Sequence, residues 1–484
     1  MKYSAGIAVL MVLVAASGLS QRPALDENSV EGYQAYEGGH YLDAQRYYLK
    51  AISEAEALGD HGARLATGLS NLGALYYAMG KYPEAEALDL RALAIREAIS
   101  GSEDPATTTI RSNLGTLYLA EGRYAQAETL DKDTLAIREK LFGAENPEVA
   151  STLNNLGLLY YAQGKYSEAE AVDNRALSIQ EKVFGPEHPD IATSLNNLAA
   201  IYSVLDRPSE AGALLQRALA IREKAFGPDH PTVAIVLSNW ANLDQKEGNY
   251  VHAEFLFQRA LSIVTKALGP DHPASATSLN SLAALYYTEG KYSKARGLYE
   301  NTLAIREKAL GIEHPDVAAT LNDLGNTYYL LRKNSKGEQL LKKALGIYER
   351  TIGLEQPNSA RVLLNLGTLY YNERKFDEAQ PLLEKSVAIL TADLGPQSRD
   401  AAVALSRVGA AYLARGFYPQ AESACEQALA VLEKTPPLDY PSLVQALNTY
   451  ALLLVKTNRK AQAELFETRA MVYLAKFREN VSKK

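Results

Sequence analysis

The chain has 484 residues, 47% of them hydrophobic and 22% charged, with a formal net charge of −7 and an isoelectric point near 5.7. Apolar residues are plentiful enough for a continuous core, while the mildly acidic balance supplies no basic field for nucleic acid and little attraction to anionic membranes. A single cysteine, Cys425, excludes an internal disulfide and any cysteine-rich metal site, and its core-facing place in the pattern reads as a small buried hydrophobe.

In chain order, Lys2 precedes an apolar run from Ala5 to Ala16 that ends in the small residues Ala15, Ala16, Ser17 and Gly18. Residues 1–18 therefore read as a secretory signal peptide cleaved near Gly18. The run is short for a bilayer span, which leaves an uncleaved anchor or an irregular start as the weaker readings. No cysteine follows it for lipid attachment. The expectation is an exported protein, periplasmic or secreted, without a stable membrane span after cleavage. Residues 19–28 follow as a polar linker.

From residue 29 to 476 the sequence repeats itself. A Leu-Gly or Leu-Ala pair recurs at Leu72, Leu114, Leu156, Leu198, Leu282, Leu324 and Leu366, at steps of 42 residues or its double. A fixed period of this size signals a solenoid of ten to eleven helix pairs, one elongated domain in which each unit contacts its neighbours. In each unit a helix of about four turns leads to a turn such as Gly164-Lys165-Tyr166, then to a slightly longer helix. Glycine suits the left-handed residue that closes a helix. Residues 477–484 are left as a tail.

Between units the string Gly185-Pro186-Glu187-His188-Pro189-Asp190 returns near His230, His272 and His314. Glycine ends one helix and proline starts the next. Four histidines invite a metal site, but one per unit places neighbours about 20 Å apart, and ligands must converge on one ion. Turn and cap duty is the better reading, and no metal or cofactor is expected.

The unit resembles a tetratricopeptide repeat in the 42-residue form of kinesin light chains. Leu153, Leu156, Gly157 and Tyr160 carry the pattern on the first helix, and Gly164, Tyr166, Ala169 and Ala176 carry it across the turn and second helix. The resemblance implies an all-α, right-handed superhelix of stacked antiparallel helix pairs that binds proteins and peptides and performs no chemistry of its own.

Independently of the resemblance, Leu153, Leu156, Gly157 and Tyr160 share one arc of a helix at about 100° per residue and form its core side. In tetratricopeptide folds the opposite face lines a concave groove. That face carries Asn71, Asn113, Asn155, Asn197, Asn239 and Asn365 at one position, with Asn154, Asn196, Asn280 and Asn322 beside it. An amide side chain offers both donors and an acceptor, which matches an extended peptide backbone whatever its side chains. The resemblance to kinesin light chains implies the same use here; the alternative is that these asparagines bond their neighbours within the solenoid. Tyr77, Tyr161, Tyr287, Tyr329 and Tyr371 stand at the groove edge, where an amphipathic ring suits a wet surface. No regular set of lysines or arginines is present to grip a terminal carboxylate.

On the second helix, Asp89, Asp131 and Asp173 fall inside the apolar arc, where later units have Leu215, Phe257, Tyr299, Leu341 and Leu383. Unpaired buried carboxylates are costly, so a buried polar seam is expected, with Arg111 pairing Asp89 or Asp131 and with Arg96 and Arg138 as further counter-ions. Paired catalytic carboxylates are the competing reading. No phosphate loop, zinc helix, nucleophile elbow or dinucleotide fingerprint occurs. The last unit has a basic outer face with Lys456, Arg459, Lys460, Arg469, Lys476 and Arg478, which suits a solvated cap or a dock for an acidic partner. The sequence points to a non-enzymatic interaction scaffold that holds a protein or extended peptide, with no nucleic acid and no small-molecule substrate. A structural component of an envelope assembly, bound through the convex face or the solenoid ends, is the alternative.

Overall fold

The structure is a computed structural model that describes residues 27–59, 62–434 and 440–482, with side chains as far as residue 476. The expected signal peptide, residues 1–18, and most of the linker lie outside the described residues. Within them the backbone forms 22 helices and no strand, arranged as successive pairs. In order these are α1 (Glu27–Glu37) with α2 (Tyr41–Ala57), α3 (Ala63–Ala78) with α4 (Tyr82–Ser100), α5 (Pro105–Ala120) with α6 (Tyr124–Phe142), and α7 (Pro147–Ala162) with α8 (Tyr166–Phe184). Next come α9 (Ile191–Val204) with α10 (Pro208–Phe226), α11 (Pro231–Glu247) with α12 (Tyr250–Leu268), α13 (Pro273–Thr288) with α14 (Tyr292–Leu310), and α15 (Pro315–Leu330) with α16 (Asn334–Thr351). The last pairs are α17 (Pro357–Asn372) with α18 (Phe376–Leu394), α19 (Arg399–Arg415) with α20 (Tyr418–Leu432), and α21 (Tyr440–Lys456) with α22 (Lys460–Ser482). The final helix runs through most of the segment read from sequence as a tail.

The boundaries follow from the chemistry of each junction. Asp104 and Asn146 accept hydrogen bonds from the first backbone N–H groups of α5 and α7, and Pro105 and Pro147 take the first helical position, where a missing N–H costs nothing. Most second helices end on glycines such as Gly185, at φ 83° and ψ 162°, a region that essentially only glycine enters. The turn inside each pair is less demanding. Its left-handed residue is glycine in most pairs, but Asp206, Arg332, Arg374 and Asn458 adopt φ of 61–65° at the same place.

The described residues fall into two compact units, one within 27–203, 207–245 and 250–320, the other within 204–206, 246–249 and 321–482. Each has its own core. In the first, Leu65, Leu69 and Leu72 pack with Tyr48 and Ala92, Leu153 packs with Ala176 and Ile179, and Leu195 packs with Leu215 and Ile221. In the second, Leu363 packs with Ile389 and Leu390, and Cys425 joins Leu443, Leu447 and Leu453. The thiol is fully buried, as its place in the pattern suggested.

The Leu-Gly pair earns its place through contact between the two helices of a pair. A Cβ added to Gly157 would lie 2.1 Å from Asp173 Oδ1, and one added to Gly367 would lie 2.8 Å from Leu383. Helices approach this closely because alanines such as Ala169, Ala176, Ala211 and Ala218 are wholly buried on the facing side. No helix among the described residues is long and apolar enough to cross a membrane.

Candidate functional site

The first helix of every pair presents its second face away from the intra-pair core, and the asparagines stand there in rows. Asn154, Asn155, Asn196, Asn197 and Asn280 are buried, while Asn71, Asn113, Asn239, Asn322 and Asn365 are half-buried. Burial reflects the close stacking of consecutive first helices. What separates these side chains is whether they find a partner.

At the two ends of the series the amides are satisfied by the neighbouring pair. Asn113 donates to Ser70 Oγ at 3.2 Å, and Asn154 accepts from Ser194 Oγ at 3.1 Å. Asn365 donates to Asn322 Oδ1 at 2.8 Å within the second unit. Between them lies a stretch where partners are missing. Both amide atoms of Asn197, Nδ2 of Asn239, and Oδ1 of Asn196 and of Asn280 are buried and find no partner in the protein. These four residues belong to α9, α11 and α13, three consecutive first helices. A buried polar group left unpaired costs about 1–3 kcal/mol, so this stretch stores unmet hydrogen-bonding capacity.

Charge is nearly absent from the same surface, with Lys246 at the position of Ala162 as an exception. Following the positions of Ser151, Asn154, Asn155, Leu158 and Tyr161 through α3, α5, α7, α9, α11 and α13 meets only uncharged residues. In the second unit Asp323, Arg361 and Arg407 break this neutrality, and Arg361 pairs Asp400 at 3.1 Å. Sequence reasoning missed Asn242 and Asn326, which occupy Leu158's position and add amides to the same face. The 42-residue step that located the other asparagines also reaches these two.

The tyrosines are half-buried and largely engaged at home. Tyr77 lies against Tyr82, Tyr161 against Tyr166, Tyr287 against Tyr292 and Tyr371 against Phe376, with ring centroids 5.5–5.7 Å apart. Each ring thus pins the turn of its own pair, and Tyr329 is half-buried at the equivalent place. Another pairing was not anticipated. His252 Nδ1 lies 2.6 Å from Asp244 Oδ2, with Trp240 edge-on to the imidazole. Asp244 occupies a slot held by Tyr160 and Tyr202 in the preceding pairs, and this departure from the repeat was the available signal.

The three aspartates are buried as expected, at 1–3% exposure, but the expected counter-ion is elsewhere. Arg111 pairs Glu97 at 2.6 Å. Arg96 bonds the Ala63 carbonyl and Thr67, and Arg138 bonds Thr108, Thr152 and the Glu148 carbonyl. The reason is geometric: the carboxyls point inward at Gly73, Gly115 and Gly157, whereas the guanidinium groups lie in the seam between successive pairs. Burial pushes the Asp89 and Asp131 carboxyls up to about 7, opposed at Asp89 by a hydrogen bond from Ser70 and at Asp131 by the charge of Arg138. Burial alone raises Asp173 well above the usual carboxylate range, and neither of its oxygens has a partner.

The inter-pair histidines are caps. Nδ1 of His188, His230, His272 and His314 accepts from the backbone N–H two residues on, at 2.9–3.3 Å. Among the described residues no group of three metal-ligating side chains converges.

Comparison with known proteins agrees with this architecture. The tetratricopeptide-repeat profile matches nine segments, the first eight of them overlapping: 34–98, 64–140, 104–182, 148–224, 190–260, 232–308, 282–350, 316–392 and 400–471. No curated protein matches the chain. Among solved structures, kinesin light chain repeats described as nearly identical and TPR-like, from Podosopora anserina, are 29% identical over 43% of this chain and 98% of theirs, with a TM-score of 0.37. BtubC of P. vanneervenii is 27% identical over 47% of this chain and 89% of its own, with a TM-score of 0.39. A Rap protein in complex with competence and sporulation factor is 14% identical over 76% of this chain and 98% of its own, with a TM-score of 0.52.

Proposed function

The chain belongs to the tetratricopeptide-repeat family, and from that premise we propose that it is a non-catalytic scaffold that holds an extended, uncharged peptide segment of a partner protein along α9, α11 and α13. What supports this reading is the asparagine-bearing face of α9, α11 and α13, where Asn239 is half-buried; the unpartnered amides of Asn196, Asn197 and Asn280 lie enclosed between neighbouring first helices and reach a ligand only if those helices part. An extended backbone alternates donors and acceptors at the spacing such a row can answer. The near-neutrality of the face, with Lys246 as its exception, argues against a highly charged ligand and for affinity that depends little on salt. We further propose that the chain acts outside the cytoplasm, on the strength of the signal-like residues 1–18.

The test combines binding with stability. A pull-down from the envelope fraction supplies the partner, and its binding segment is then titrated against the protein and against Asn197→Ala, Asn239→Ala, Asn280→Ala combined. Loss of three amides should weaken binding at least about tenfold. Asn197→Ala alone should leave thermal stability unchanged or raised, because the native amide bonds nothing. Destabilisation by Asn197→Ala without loss of binding would make the asparagine structural and end this reading.

A second reading has its own observation. Leu465, Met471 and Val472 on α22 are 48–63% exposed, on the helix whose neighbours include the basic residues Arg459, Lys460 and Arg469. A component of an envelope assembly, docked through its last pair, would use that end and survive the asparagine substitutions.

A further inference from the structure

Four histidines occupy the same inter-pair position, and two of them, His272 and His314, are met by a turn from far earlier in the chain. His188 keeps 39% of its side chain exposed, His230 and His272 are half-buried, and His314 is buried. His272 and His314 carry a second layer of chain: the turns of the first two described pairs lie directly on them. A Cβ on Gly39, between α1 and α2, would come within 2.7 Å of His272 Cδ2 and 3.2 Å of Pro273. The same atom on Gly80, between α3 and α4, would come within 2.8 Å of His314 Cδ2 and 2.5 Å of Pro315. The imidazole of His314 bonds the Ala78 carbonyl at 3.2 Å across a separation of 236 residues. Gly164 and Gly290, at the equivalent turns of other pairs in this unit, have nothing within 4 Å. The first unit therefore completes a circuit, and its beginning rests on the two histidine caps.

We propose that this contact is a latch which closes the first circuit of the solenoid, and that protonation of His272 and His314 releases it. The hydrogen bonds fix the tautomer. Nδ1 of His314 accepts from the Asp316 N–H at 2.9 Å, so the ring's proton resides on Nε2 and is donated to Ala78. A second proton would have to enter at Nδ1, against an N–H that already points there. Protonation thus breaks the cap and turns the ring away from the overlying turn. His272 is held likewise by the Ala274 N–H at 3.1 Å, with Nε2 buried facing the Glu37 main chain.

The surrounding charges are consistent with neutral rings. His314 faces Asp316 on its own helix, Arg306 on α14 and the Ala78 carbonyl from α3; Tyr77 and Tyr41, brought by the overlying pairs, lie near Asp316. His272 faces Glu37 and His40 from the first pair, and its neighbour Asp271 is occupied by Lys308 at 2.5 Å. Burial is the largest influence on both rings and holds them below the ordinary histidine range, with Arg306 adding to it at His314 and His40 at His272. Released rings regain the ordinary value of about 6.5. The open form then binds more protons at low pH, so closure is complete above about pH 7.5 and weakens as pH falls below about 6.5. At pH 5 each histidine can favour opening by up to about 30-fold.

The experiment measures the distance between spin labels at Glu84→Cys, on the N-terminal side, and Ile312→Cys, beside the second latch, in a Cys425→Ala background. One narrow distribution is expected at pH 7.5 and a shift to longer distances at pH 5, reversed on neutralisation. The partner sample adds His272→Asn and His314→Asn. Asparagine already caps the equivalent helix α7 at Asn146, so this variant retains its helices, verified by circular dichroism, while losing both titrating groups. Its distance distribution should be the same at the two pH values. A wild-type distance that does not move between pH 7.5 and 5, or a double variant that moves as the wild type does, overturns the latch.

Discussion

Compare α7–α8 with α9–α10. The two pairs have nearly the same backbone, and in each a small residue of the first helix faces one side chain of the second. In one the contact is Gly157 with Asp173; in the other it is Ala199 with Leu215. Leu215 is 1% exposed within an apolar cluster that includes Leu195 and Ile221. Asp173 is equally buried and has no hydrogen-bond partner on either oxygen. Gly73 with Asp89 and Gly115 with Asp131 repeat the polar version, while Gly367 with Leu383 and Gly409 with Cys425 show that glycine also tolerates an apolar partner. The slot is thus set by close helix approach, and the chemistry that fills it is free to vary at a cost in stability. Below about pH 7 the carboxyls of Asp89 and Asp131 avoid the larger penalty of a buried charge by keeping their protons.

The widest way to test that contrast is to replace Asp89, Asp131 and Asp173 by leucine together and follow unfolding against pH. Unfolded aspartates titrate near 3.9, whereas Asp89 and Asp131 titrate at about 7 in the folded chain. Between those values the native state holds protons that the unfolded chain has shed. Stability from these groups therefore falls as pH rises through that window, by about 1.4 kcal/mol per unit for each carboxyl. The stabilisation of the triple variant over wild type should grow by several kcal/mol between pH 4 and pH 8; a constant difference across that range would mean that the carboxyls are ionised in the core.

Single substitutions sharpen the contrast locally. Asp173→Leu reproduces the Gly367–Leu383 arrangement and should stabilise α7 and α8 by about 3 kcal/mol at pH 8. Because a solenoid transmits stability chiefly to neighbours, slowed amide exchange should be confined to α7–α10. Gly157→Ala should do the reverse, by about 2 kcal/mol, since its Cβ would meet Asp173 Oδ1 at 2.1 Å. Made together with Asp173→Leu, the pair copies Ala199 with Leu215, and the loss should shrink markedly. If the alanine costs as much in either background, the proposed contact does not govern the slot.

These residues also show where sequence was informative. The period, the glycine and proline junctions and the anomaly of three aspartates in an apolar arc were all legible, because each is encoded within one repeat. The pairing of Arg111 was not. It depends on whether a long side chain turns toward the carboxyl inside its pair or toward Glu97 at the seam, and the spacing permits both. The partners of the asparagines were half legible: Ser70 beneath Asn113 lies one repeat away in a fixed register, but whether a protein group reaches Asn197 depends on rotamers and helix spacing. The contact between His314 and Ala78 was beyond reach. It requires the summed rotation of the intervening pairs to return the chain onto itself, and no local pattern carries that sum.

The smallest effect is the most discriminating about why the aspartates differ among themselves. Asp89 receives a hydrogen bond from Ser70 and retains only one orphaned oxygen, Oδ1, while Asp173 has two. Replacing Asp89 by leucine removes one satisfied and one unsatisfied atom, and leaves Ser70 without that partner. The net gain should be about 1 kcal/mol, well below that at Asp173. Ser70→Ala in the wild-type chain should raise the Asp89 carboxyl further and deepen the loss of stability toward neutral pH, whereas in the Asp89→Leu background only a pH-independent cost should remain, from the loss of the acceptor for Asn113. Carboxyl titration by carbon-detected NMR reads the first effect and denaturant unfolding the second. Equal gains at positions 89 and 173 would show that burial by itself, irrespective of hydrogen bonding, sets the cost of a carboxyl in this slot.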